Sequence, residues 1–449
     1  MARRSDADLL GEDHETTEEI VARLNRPHAV LSHGGKIRVM RFGRDGDFTL
    51  ETPMDMHTWY ANDPVWTKNA AGADIQVPAS KVWLASKQRR QFNRIVFDPS
   101  GKTPRGAYNL WQGWGVEPNP HASCDLILKH IREVISDSNE AVFAYNVRYD
   151  AHMVQRPADK PGVARVLRGG RGAGKDTYGE LLRRICGIRH TAIIGDSQRL
   201  SARFNSMFEA ALFAHVEEAF WSGDPRARGR LQHLITSTEI QIERKGLEPF
   251  TNASFLRILM TTNEDWAVPA GPDERRYAVF DVCERYKQDH AYFGALRAEI
   301  AGDGAGAYLH YLQSLDLTGF DVRDVPQTSA LADQKWETLD SVERWWEGVL
   351  DDGSWWDDGD DRPAEINKDA VYRHYAEFAR SQRFGGNAKS RQAWGKKLLA
   401  MCPGIHEERR GPRSNRARVL TLPPLRQCEL AFKRHIGVSS KGEWSNVFG

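Results

Sequence analysis

Short, unbroken apolar runs punctuate the middle of the chain, separated by stretches with the three-to-four-residue spacing of amphipathic helices. Runs start near residues 164, 191, 211, 256 and 277; Ala164–Arg168, Ala211–Val216, Phe255–Asn263 and Tyr277–Val282 are the clearest. Apolar runs of this length read as strands buried on both faces, and strands alternating with helices build a parallel sheet. Such a sheet offers its ligand site at the strand C-termini. The fold class expected is therefore α/β.

The flanks read differently. Residues 1–25 predict a frayed tail and a short amphipathic helix. Residues 26–115 alternate short β-like runs (Lys36–Met40, Asn93–Phe97) with turns and tryptophans, a small α+β module. Trp59, Trp66, Trp83, Trp111 and Trp114 are expected mainly as core, base stacking being the alternative. Helical spacing returns over 122–160 and 288–350. The run Asp351–Pro363 is acidic, carries Trp355 and Trp356, and predicts a linker or mobile loop. After it, helices at Lys368–Phe378 and Ser390–Leu399 precede a basic two-stranded ribbon through Glu408–Leu420, a winged-helix pattern. The expected divisions are 1–120, 121–163, 164–300, 301–350, 351–365 and 366–449.

Composition narrows the classes. The 449 residues hold 62 basic and 61 acidic side chains, a net charge of +1, so contact with nucleic acid must come from local patches or from several copies. Five scattered cysteines show no zinc spacing and imply a reducing compartment. No apolar run reaches membrane length, so a cytoplasmic protein with no membrane partner is expected.

Candidate chemistry begins where the Ala164–Arg168 run ends. Gly169, Gly170, Arg171, Gly172, Ala173, Gly174, Lys175, Asp176 and Thr177 place a glycine loop between a strand and a helix N-terminus. Glycines let N–H groups close on phosphate, the helix dipole adds about half a positive charge, and Lys175 reaches the outer phosphates. The cofactors implied are ATP and Mg²⁺. The 211–218 run ends in Glu217, assigned to the metal, and Glu218, assigned to the attacking water, on the premise that neighbours at a strand end point opposite ways. Asn263 ends the next strand, where its amide can bond the attacking water or the γ-phosphate, a turn-forming Asn being the alternative. Arg275 and Arg276 open the strand after that, and in a ring-forming ATPase one of them reaches the next subunit's γ-phosphate. Asp176 stands where a Ser or Thr usually holds the metal, so Asp176 and Thr177 both remain candidates beside Glu217.

Taken together, the glycine loop, acid pair, Glu239–Phe250 segment, strand-end Asn263 and Asp-Glu-Arg-Arg run resemble superfamily III helicases, an AAA+ branch. The similarity is strongest to the helicase half of phage and plasmid primase-polymerase proteins. Phe97-Asp-Pro, Tyr108–Gly113, Gln155-Arg-Pro157, Arg203-Phe-Asn205 and Glu243–Gly246 extend it over about residues 80–435. The resemblance implies an AAA+ P-loop core over 164–300, a helical collar before it and a winged-helix-like domain after it. It also implies a homo-oligomeric ring, a hexamer, and a hairpin whose Arg244 and Lys245 face single-stranded DNA. Lys396, Lys397, Arg409, Arg410, Arg413 and Arg416 are expected as DNA-backbone contacts of the wing.

The function expected is an ATP-dependent helicase acting on forked or single-stranded DNA in phage or mobile-element replication inside a bacterial host. A polymerase site is not apparent, so a separate primase or polymerase is a candidate partner. A double-strand translocase that melts an origin, and a non-hydrolysing replication initiator, are the competing readings.

Overall fold

All five central runs enter one parallel sheet in the computed structural model, which describes residues 15–33, 35–43, 47–68, 71–195, 205–218, 225–243, 249–271, 274–356, 364–381, 388–410 and 416–437. The strand order is Thr191–Ile194, Phe213–Val216, Arg257–Thr262, Ala164–Arg168, Tyr277–Asp281. Every neighbouring pair is parallel. The strand bearing the glycine loop thus has Asn263's strand on one side and Tyr277–Asp281 on the other. All six residues of Arg257–Thr262 and all four of Phe213–Val216 are buried, which is why these runs lack polar alternation.

The chain divides into two compact units. One comprises residues 1–114, 203–212 and 238–255; the other comprises 115–202, 213–237 and 256–449. In the first, Phe48–Glu51, Lys36–Phe42 and His28–His33 form an antiparallel sheet that Gln91–Phe92 joins in parallel. Trp83 is fully buried there, and its indole N–H donates to Asn25 Oδ1 at 2.8 Å. Trp59 and Trp66 are instead 62% and 50% exposed, so the expectation of core fails for these two. Arg41 covers one face of Trp59, 4.4 Å from the ring centroid.

This unit also holds the predicted hairpin. Glu239–Ile242 pairs antiparallel with Phe250–Ala253, and Ile240 and Ile242 are buried while Glu239 and Gln241 are exposed. Asn205 clamps its base: its amide donates to Gln241 O at 2.8 Å, and Glu243 N–H donates to Asn205 Oδ1 at 2.8 Å. Arg244 and Lys245 lie outside the described residues, as does Arg413.

In the second unit, helix Glu140–Gln155 is fixed to the sheet by a buried polar network. The Arg165 guanidinium pairs with Asp150 at 2.7 Å, and Asp150 also accepts the hydroxyls of Tyr178 (2.7 Å) and Tyr308 (2.9 Å). One carboxylate therefore joins that helix, the glycine-loop strand, helix Lys175–Cys186 and helix Gly304–Ser314. Breaking a buried pair of this kind costs about 3–5 kcal/mol, because the surviving charge stays buried.

The acidic, tryptophan-bearing run does not behave wholly as a linker. Trp356 is buried and donates to Pro423 O at 2.8 Å, and Trp355 packs near Trp345 and His374. Helix Ser341–Asp352 supplies Val342, Trp345, Trp346 and Val349 to the same core as Tyr375, Trp394, Leu420 and Phe432. Apolar burial overrides the acidic composition as far as Trp356. The basic ribbon is present: His406–Arg410 pairs antiparallel with Ala417–Leu422, and Ala364–Asn367 adds a third strand.

Candidate nucleotide site

The glycine loop leaves the sheet at Arg168 and ends at Gly174, which caps helix Lys175–Cys186. Gly172 and Gly174 hold φ of +76° and +106°, a backbone that side chains with a Cβ resist. Gly174 has a second reason to be glycine, since a Cβ there would lie 2.5 Å from the His130 ring and 2.9 Å from Phe293. His130 Nε2–H donates to Gly174 O at 3.1 Å, so its Nδ1 accepts the Tyr292 hydroxyl at 3.1 Å. Burial pushes the His130 imidazole down to about 4, so the loop is held by a neutral ring.

Lys175 is buried, and its ammonium donates to Gly169 O (2.6 Å), Gly170 O (2.8 Å) and Asn263 Oδ1 (3.0 Å). All three of its protons are occupied, two by the loop itself and one by the amide at the end of the adjacent strand. Burial is also what lowers its pKa, against the opposing fields of Asp176 and Glu284.

Next along the helix, Asp176 and Thr177 diverge. The Asp176 side chain is 74% exposed, whereas Thr177 is buried. Asp176 Oδ1 accepts the Thr261 hydroxyl at 2.9 Å, and Thr261 Oγ1 lies 3.3 Å from His215 Nε2. With Thr261 donating to Asp176, neutral His215 must donate from Nε2, which orients the whole relay. Burial pushes His215 down to about 4. Its ring fills the space beside Gly179, where a Cβ would collide with it.

His215 also lies 3.7 Å from Glu217 Oε1 through Nδ1. Burial first, then the Asp176 carboxylate, raises the Glu217 pKa. Two carboxylates that repel each other beside the glycine loop are a fitting donor set for a divalent cation. Among the described residues no three His, Cys, Asp or Glu groups converge on one point, so phosphate and water oxygens would have to complete a Mg²⁺ shell.

The acid pair departs from its expected geometry. The strand stops at Val216, and Glu218 sits at φ +51°, in the left-handed region. A turn, rather than strand alternation, separates the two carboxylates. Strained non-glycine backbone of this type clusters at functional sites. Arg276 donates to Glu274 at 3.1 Å, while Arg275 is exposed with no ion pair among the described residues. Sequence reasoning missed His130, His215 and Thr261; His215 left one trace, a titratable residue interrupting a buried run.

The expected DNA contacts divide. Lys397 is bound to Asp340, and to Glu343 at 2.9 Å; Arg410 is bound to Glu365 (2.6 Å) and Glu408 (3.3 Å). Both cations meet carboxylates of their own chain, Lys397 in a largely buried cluster and Arg410 in half-exposed pairs. Lys396, Arg409 and Arg416 are exposed, with no ion pair among the described residues.

Residues 167–276, spanning the loop, acids, amide and arginines, match a family of unknown function, DUF5906. A DNA primase-polymerase of Nitratiruptor phage NrS-1 is 23% identical over 267 residues, 53% of this chain. The match covers 36% of that relative, about a third of its length. Two apo structures of the NrS-1 C-terminal region share the fold at TM-score 0.64 and 15% identity. One covers 91% of this chain and 100% of the NrS-1 region, the other 90% and 99%. The chain is thus homologous to a phage primase-polymerase and folds like that protein's C-terminal region. Among the described residues, no helix is long and apolar enough to cross a membrane.

Proposed function

We propose that this chain is an ATP- and Mg²⁺-dependent DNA helicase of the superfamily III type, serving replication of a phage or related mobile element. On this reading the parallel sheet with its glycine loop is an AAA+ core, the C-terminal helices and ribbon are a winged helix, and the protein works as a ring. The observation that carries it is the Lys175 ammonium, which bonds at once to its own glycine loop and to Asn263 at the end of the neighbouring strand. That arrangement puts the lysine, the amide and the acid turn at the same edge of the sheet, where a triphosphate's reacting end would sit. Homology to a phage primase-polymerase supports the replication role.

The residues then take these parts. Lys175 exchanges its loop carbonyls for phosphate oxygens, and the N–H groups from Gly172 to Thr177 close on them. Asp176, held by the Thr261–His215 relay, and Glu217 would hold Mg²⁺, with Thr177 as the other candidate; there the ion would supply neutralisation of phosphate charge. Glu218 orients the attacking water and Asn263 marks the γ-phosphate. Arg275, with no ion pair among the described residues where Arg276 is paired, enters the neighbouring protomer's site. The 239–253 hairpin carries Arg244 and Lys245 to single-stranded DNA, with Lys396, Arg409, Arg413 and Arg416 as backbone contacts of the wing.

Steady-state ATP hydrolysis and forked-DNA unwinding test this directly. Lys175→Ala should lose both, and Glu218→Gln should bind ATP yet turn over at least about 100-fold more slowly. Turnover unchanged by Glu218→Gln would replace the helicase with a DNA-binding initiator whose nucleotide is structural.

A further inference from the structure

One charged pair beside the glycine loop has no part in that scheme. Glu284 and Lys287 come after the strand Tyr277–Asp281, on the opposite flank of the loop strand from Asn263 and Glu217. The Glu284 carboxylate rests against the backbone of Gly170. Lys287 Nζ donates to Glu284 Oε2 at 2.9 Å. A Cβ on Gly170 would collide with the Glu284 carboxylate and lie 3.0 Å from Lys287 Nζ. Both side chains are pressed against the loop, and Gly170 is the residue type that admits them.

A carboxylate seated against the loop offers what a phosphate oxygen offers, a negative acceptor. Its companion ammonium is close enough to the loop for Lys175 to feel both groups. Yet the side chains of Lys287 and Glu284 are 39% and 48% exposed, and solvent screens so open an ion pair that it is held only weakly. A polyphosphate carrying several charges outcompetes a single carboxylate bound in this way.

Direction comes from topology. On the proposed reading, the acid turn and Asn263 set the γ-phosphate end toward the strands Phe213–Val216 and Arg257–Thr262. The remainder of a nucleotide must then run toward the Tyr277–Asp281 side, where Lys287 stands. That side meets the phosphates shared by ATP and ADP.

We propose that Glu284 is a displaceable anion resting on the glycine loop, and that Lys287 is a second phosphate-binding lysine which Glu284 releases to the incoming nucleotide. The proposal rests on the reading of this loop as a nucleotide site. It makes Glu284 a competitor of the nucleotide and Lys287 a ligand of its inner phosphates.

Titration of the full chain with fluorescent ATP and ADP analogues tests it. Lys287→Gln should raise Kd about ten-fold for both analogues alike, and Glu284→Gln should lower Kd about three- to ten-fold. The Glu284→Gln gain should vanish in the double variant with Lys287→Gln, since the liberated lysine is then absent. Glu284→Ser provides a second substitution at the same exposed position and should behave as Glu284→Gln does. Unchanged or weaker binding by both Glu284 variants overturns the competitor role, and unchanged binding by Lys287→Gln overturns the ligand role. If Lys175→Ala abolishes binding while the 284 and 287 variants match the wild type, this inference falls and the nucleotide site stands. If Lys175→Ala binds as the wild type does, the nucleotide site itself falls.

Discussion

His130, His215 and Thr261 touch nothing that reacts, yet they decide where Gly174 and Asp176 stand. His130, His152 and His215 are each pushed down to about 4 by burial, from about 6.5 when unfolded. The unfolded chain therefore binds more protons than the native one between these values. Their contribution to stability is fully present above about pH 6.5 and is lost as pH falls toward 4. Thermal midpoints measured from pH 7 to 4.5 should drop steeply, and His130→Gln, which keeps a donor for Gly174 O, should flatten that dependence by about one proton. Thr261→Val should cut the relay between His215 and Asp176. Its ATPase should need several-fold more Mg²⁺ for half-maximal rate, with folding retained, as a Mg²⁺ titration would reveal.

At the scale of elements, helix Ser341–Asp352 belongs energetically with the C-terminal helices and ribbon. Trp346 is fully buried among side chains from both sides of the acidic run. Trp346→Ala should destabilise by about 3–5 kcal/mol in denaturant melts, the usual cost of emptying an aromatic site. The basic ribbon makes a contrasting case. Lys397→Ala removes the partner of Asp340 and Glu343, so it should lower stability more than DNA affinity. Replacing Lys396, Arg409 and Arg416 together should instead lower affinity and reduce the salt slope by about one log unit for each phosphate left unneutralised. Filter-binding at several salt concentrations separates the two outcomes.

For the whole molecule, a net charge of +1 leaves no general attraction for DNA, so on the proposed reading affinity comes from local patches or from several copies. The same logic applies to the nucleotide. Arg276 is spent on Glu274, and Arg275 pairs with no described anion of its own chain. Mixing Lys175→Ala with Arg275→Ala protein should restore part of the hydrolysis that each lacks alone, since some seams then pair an intact lysine with an intact arginine. A mixture as dead as its components, from a protein that stays monomeric with nucleotide and DNA, rules out the shared seam.

The central sheet was legible in the chain because buried parallel strands need unbroken apolar runs, and the glycine loop because positive-φ backbone and close packing need residues without a Cβ. The hairpin at 239–253 was legible for a similar reason, Ile240 and Ile242 alternating with polar neighbours as strand period dictates. Pairing, by contrast, is invisible in a linear chain. Whether Lys397 or Arg410 is free depends on acids 57 and 45 residues away in the chain, brought near by packing alone. The turn that separates Glu217 from Glu218, the burial that keeps His130 neutral against Gly174, and the core that captures Trp356 are likewise consequences of tertiary contact, where the field and the space at a residue come from elements distant in the chain.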